Sequence, residues 1–160
     1  MNQNRIDELE KTHTRILQLG ILMNIFLPVV IFFLAIYLRD RFVSIKSPMD
    51  LNMIFYFLLA LSAVETLTIF ILKTRTWKPY IKRKLQENPR LSIEKGPFGF
   101  GTIIYVLCFS PTIYGLVYYI LGGTWEHFAL FVAITFLLFQ LFKPKMEELE
   151  KLNKEFNTSD

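Results

Sequence analysis

The chain has 160 residues, 52% hydrophobic, 16% aromatic and 20% charged, with a net charge of +4 and a mean hydropathy of +0.36. That balance argues against a soluble domain, because four apolar segments, Ile16–Leu38, Leu51–Leu72, Phe98–Leu121 and Trp125–Phe142, take up more than half of the chain. As helices they would run to about 27 to 36 Å against a hydrocarbon core of about 30 Å, which predicts an all-α, polytopic membrane protein with four transmembrane helices in one membrane domain.

Ahead of the first segment, Asp7, Glu8 and Glu10 mix with Arg5, Lys11 and Arg15. No small-residue cleavage site ends the apolar run, so it is expected to stay as an anchor rather than be removed as a signal peptide. Ile6, Leu9 and Ile16 share a helical face with His13, so the tail is expected to run as a helix straight into the segment, either as a solvated extension with a few interfacial anchors or packed with the C-terminal tail or on a cytoplasmic partner. Inside the segment, Gln18 and Asn24 are polar and Pro28 predicts a kink.

The second segment carries Asn52, Ser62, Glu65, Thr66 and Thr68, and Glu65 is the one ionisable group away from a segment end. It lies about 10 Å from the nearer end of its helix, and Asn24 about 12 Å from the matching end of the first, so the two are expected to meet. A charged acid at that depth costs a few kcal/mol, which predicts a Glu65 that faces the bundle or carries a proton. One reading is an acid hydrogen-bonded to Asn24 or Ser62 that holds helices together; the other is a carboxylate that binds an ion or a proton.

The connection over residues 73–97 is basic. Trp77, Tyr80, Ile81 and Leu85 fall on one helical face, with Lys78, Lys82, Arg83 and Lys84 on or beside the other, and Asn88 with Pro89 gives a stop. This describes a helix in the headgroup plane, with Trp77 down and Lys78, Lys82, Arg83 and Lys84 toward an anionic leaflet, or else ordinary flanking charge without lipid selectivity.

The third segment holds Cys108, Thr102, Ser110, Pro111 and Thr112, and a hydroxyl near Pro111 is expected to help satisfy the backbone group that proline frees. A turn at Gly122 leads to the fourth segment, with Thr135 and Gln140. The tail over residues 143–160 opens with Pro144 and repeats Met146, Leu149, Leu152 and Phe156 beside the pairs Glu147 with Lys151 and Glu150 with Lys154, a short amphipathic helix.

Fifteen of the 18 basic residues sit in the two tails and the middle connection, against Arg39, Arg41 and Lys46 on the other side, so both termini are expected in the cytoplasm. The spacing contains no zinc motif, helix-turn-helix, GxSxG or phosphate-cradling loop, and His13 and His127 fall on opposite sides of the membrane. These absences point away from nucleic acid, from a haem or other cofactor and from an enzyme.

The run Cys108-Phe109-Ser110-Pro111-Thr112-Ile113-Tyr114-Gly115-Leu116-Val117 resembles the carboxylate-bearing helix of rotary ATPase proteolipids, with Phe109 in the place of the acid and Ile113, Tyr114 and Gly115 in theirs. Glu65 with the apolar run Ile69 to Leu72 is a fainter echo. The resemblance continues loosely to Lys143 and Pro144 and is that of small bacterial four-helix membrane proteins with a proteolipid-like half. It implies a bacterial inner (plasma) membrane location and common ancestry, and, since Phe109 binds no ion, a role other than rotary ion transport. Two function classes follow: an oligomerising or accessory subunit of a larger membrane complex, with itself, other subunits and lipids as partners, or a small proton or cation conductor using Glu65.

Overall fold

The computed structural model describes residues 3–39, 50–76, 79, 92–143, 145 and 147. Among them every regular element is helical: α1 (Gln3–Ile21), a π-helical turn (Leu22–Phe26) and α2 (Leu27–Tyr37) in one continuous rod; α3 (Leu51–Ile71), ending in a second π-helical turn (Leu72–Thr76); α4 (Ser92–Ile120); and α5 (Trp125–Phe142). Four stretches are long and apolar enough to cross a membrane, Glu10–Tyr37, Leu51–Thr76, Gly99–Ile120 and Trp125–Phe142. The fourth has the bounds expected from sequence. The first begins earlier, because the amphipathic tail continues the helix instead of extending beside it.

Pro28 accounts for the turn before it. A proline supplies no N–H to the carbonyl four residues back and crowds it with its ring. Here the Leu27 N–H reaches back five residues to the Leu22 carbonyl, so the helix widens by one residue ahead of Pro28 instead of breaking.

Helices α4 and α5 form an antiparallel hairpin at the centre. Their turn is a Schellman motif: Gly122 N–H donates to the Tyr119 carbonyl at 3.1 Å and Gly123 N–H to the Tyr118 carbonyl at 3.0 Å. Gly122 carries φ +101°, a conformation that favours glycine. Thr124 then caps α5 with its side chain. Along α5 the buried residues Phe128, Phe131, Thr135, Leu138 and Phe142 alternate by threes and fours, one continuous seam against the hairpin partner. At Gly115 that partner comes closest, since a Cβ there would lie 2.6 Å from the Phe128 ring and 2.8 Å from Phe131 Cβ.

Helix α3 packs chiefly on α4, and the α1–α2 rod packs on α4 and α5. The rod and α3 make no substantial contact with each other. Two apolar layers bracket the middle of the α3–α4–α5 contact. One contains Phe55, Leu58, Tyr118 and Phe131, the other Ile69, Phe100, Ile104, Cys108, Leu138 and Phe142. The outer faces are apolar as well: Phe33 is 65% exposed, Phe57 67% and Leu141 66%. Such a surface needs a covering other than water.

Candidate functional site

Between the two apolar layers lies a polar one. On α3, Leu58, Ser62, Glu65 and Ile69 follow at helical spacing, which puts Glu65 on the face turned to α4. On α4, Ser110 and Tyr114 are four residues apart and share a face. Side chains of a helix lean toward its N-terminus, so the long Tyr114 ring reaches down one turn to the level of Ser110. The Ser110 hydroxyl lies 2.6 Å from Glu65 Oε2, and the Tyr114 hydroxyl donates to Glu65 Oε1. Both carboxyl oxygens are thereby engaged by one neighbouring helix. Glu65, Ser110 and Tyr114 are each half-buried.

Ser110 has a second contact. Its hydroxyl also lies 2.6 Å from the Leu107 carbonyl. Pro111 is four residues beyond Leu107 and has no N–H to give it, so the serine stands in for the missing backbone donor, as expected of a hydroxyl beside this proline. Deeper in the hairpin, Thr112 Oγ1 and Thr135 Oγ1 lie 2.9 Å apart, both fully buried, and Thr135 donates to the Phe131 carbonyl at 3.3 Å. A third polar group closes the Thr124 end: His127 Nδ1 is 2.9 Å from the Tyr118 hydroxyl and 3.2 Å from Thr124 Oγ1, and its ring stacks on Phe55 at 4.2 Å.

The structure corrects the partners expected for Glu65. Asn24 is buried on the first rod, its Nδ2 donating to the Gly20 carbonyl at 3.3 Å and its Oδ1 without a hydrogen-bond partner. Equal depth did not bring it to Glu65, because among the described residues the rod packs on α4 and α5 and makes no substantial contact with α3. Ser62 is buried one turn from Glu65 but donates to the Leu58 carbonyl at 3.1 Å, the local bond a helical serine makes with its own preceding turn. Of the residues in the proteolipid-like run, Tyr114 joins Glu65, Gly115 sits at the close approach of α5, Phe109 is half-buried and Ile113 is exposed. The headgroup residues Trp77, Lys78, Lys82, Arg83 and Lys84, and the repeat Met146, Leu149, Leu152 and Phe156, lie outside the described residues.

Among the described residues no group of three or more His, Cys, Asp or Glu is placed to hold a metal ion. The chemistry at hand is that of a carboxyl between two hydroxyls: joining helices, and holding or releasing a proton. Comparison with protein-family models, curated proteins and solved structures finds no match to this chain.

Proposed function

We propose that the protein is a non-enzymatic integral membrane protein of a bacterial inner membrane, with both termini in the cytoplasm, that works as an oligomerising or accessory subunit of a larger membrane complex. The engagement of both Glu65 oxygens by Ser110 and Tyr114 carries this reading over ion conduction: the acid within the second apolar segment is occupied as a joint between α3 and α4. The exposed aromatic side chains of the rod and α3, Phe26, Phe33, Tyr56, Phe57 and Phe70 among them, supply apolar area for lateral contacts with other subunits and lipid. The orientation rests on the concentration of basic residues in the tails and the middle connection.

Native mass spectrometry of the detergent-solubilised full chain tests it. The expected result is a mass above that of one chain, from copies of itself or from co-purifying subunits. A bare monomer in mild detergent would overturn the subunit reading.

A conductor is the second reading, favoured by the half-buried state of Glu65 in a polar layer between two apolar ones. It requires a Glu65-dependent flux after reconstitution.

A further inference from the structure

The polar layer has an imbalance of hydrogens. Three oxygens compete for donors around Ser110: Glu65 Oε1, Glu65 Oε2 and the Leu107 carbonyl that Pro111 leaves without a backbone partner. With Glu65 ionised there are two hydrogens to share, one on Ser110 and one on Tyr114. Tyr114 serves Oε1, so the single serine hydrogen goes either to Oε2 or to Leu107, and one acceptor is left bare. With Glu65 carrying a proton on Oε2 there are three. The acid then donates to Ser110 Oγ, Ser110 donates to the Leu107 carbonyl, Tyr114 donates to Oε1, and each close contact holds one hydrogen. The change needs a proton to arrive and the serine hydrogen to rotate; no heavy atom has to move. Away from water an unpaired carbonyl is costly, which favours the filled arrangement.

We propose that Glu65, Ser110 and Tyr114, completed by the carbonyl that Pro111 frees, form a binding site for a single proton. Pro111 is its positioning residue: by removing one backbone donor it turns Ser110 from a donor to the carboxylate into an acceptor from the acid. The groups facing the site are few among the described residues. Helix α4 presents Tyr114 in contact, with Cys108 buried below and Tyr118 above, while Tyr105 turns to Ile16 and Phe139 instead; α5 presents His127 at its far end, held by Tyr118; α3 presents Lys73, two turns beyond Glu65. The inference rests on the membrane placement proposed above and on neither function class.

Infrared spectroscopy of the full chain in lipid nanodiscs, with carbon-13-labelled glutamate and a pH series across neutrality, reads the site directly. The native protein should show an acid carbonyl band within that series that Glu65→Gln removes; a Glu65 present only as carboxylate throughout it would overturn the proposal. Pro111→Ala returns an N–H to Leu107 and frees the serine hydrogen for the carboxylate. Because a hydrogen bond to a charged group is worth more than one to a neutral group, the acid-to-carboxylate ratio at a given pH should fall about tenfold. Ser110→Ala removes the oxygen that accepts the acid's proton and should lower the ratio as well. A ratio equal to or above the native one in Pro111→Ala would overturn the relay. If Pro111→Ala fails to fold, the Ser110→Ala shift alone decides, with a rise or no change refuting it. Cysteine labelling of topology tests the membrane placement separately.

Discussion

Thr112 and Thr135 face each other across the central hairpin with hydroxyls 2.9 Å apart, and only Thr135 is also bonded to a backbone carbonyl, that of Phe131. The assignment of hydrogens follows: Thr135 donates to Phe131, and Thr112 donates to Thr135.

Replacement by valine should therefore be asymmetric. Thr112→Val leaves the Thr135 hydrogen placed on Phe131. Thr135→Val strands the Thr112 hydroxyl in a fully buried site and should cost more, in a range of about 0.6 to 2 kcal/mol for interhelical bonds in lipid. Unfolding titrations in mixed micelles, with both variants compared, measure the order.

Gly115→Ala places a methyl 2.6 Å from the Phe128 ring and 2.8 Å from Phe131 Cβ, with a fixed backbone behind one of them. We expect a loss of about 1 to 3 kcal/mol. A Cβ added at Gly99 would meet nothing within 4 Å, and the residue lies in helix, so Gly99→Ala is expected to be neutral or stabilising. The same unfolding assay compares them.

Glu65→Gln keeps the shape and a donor, and should leave the assembly nearly unchanged, whereas Glu65→Ala removes both hydroxyl contacts and should loosen α3 from α4 by about 0.6 to 2 kcal/mol. Reconstituted protein should show no Glu65-dependent proton or sodium flux. A flux abolished by Glu65→Gln with the oligomer intact would promote the conductor over the subunit.

Cysteines introduced at Ser92 and Ser47, in a background lacking Cys108, should label from opposite sides of sealed cells, Ser47 from outside. Labelling of both from one side would refute four crossings.

Replacing Lys82, Arg83 and Lys84 together by Gln should weaken the binding of a peptide spanning residues 73–97 to anionic vesicles. The loss should be greater at low salt, because surface attraction is screened within a Debye length of about 10 Å at 0.1 M. Equal binding to neutral and anionic vesicles would refute lipid selectivity.

The helices were legible because length and hydropathy are properties of single segments. Trp125–Phe142 is bounded in the structure where its composition bounds it. The role of Ser110 beside Pro111 was legible too, since the serine and the proline are neighbours in the chain and the freed carbonyl is one turn away. The partners of Glu65 were not. Depth along a helix follows from residue count, but which helix stands beside which follows from the packing of all four, and Asn24 matched Glu65 in depth while belonging to a rod on another interface. The true partners, Ser110 and Tyr114, are one helical turn apart, but the same segment carries Thr102, Tyr105, Thr112, Tyr118 and Tyr119 as well, so their spacing did not single them out.

The wide turn ahead of Pro28 sets the phase of the first rod. Each residue of a helix turns the chain by about 100°, so one extra residue held in the turn decides which side α2 presents after α1. With it in place, Ile16, Gly20 and Asn24 are buried in the lower half and Pro28 and Ala35 in the upper, both halves meeting α4 and α5. Deleting a single residue within Leu22–Phe26 would let the turn close to ordinary α-helical geometry with Ala35 still against Tyr119, Phe128 and Val132, whereas a one-residue deletion elsewhere in the rod before Ala35 would swing it away by about 100°. For this rod, register matters more than length: a substitution on its outer face changes one contact, while a one-residue deletion outside the wide turn changes every contact beyond it.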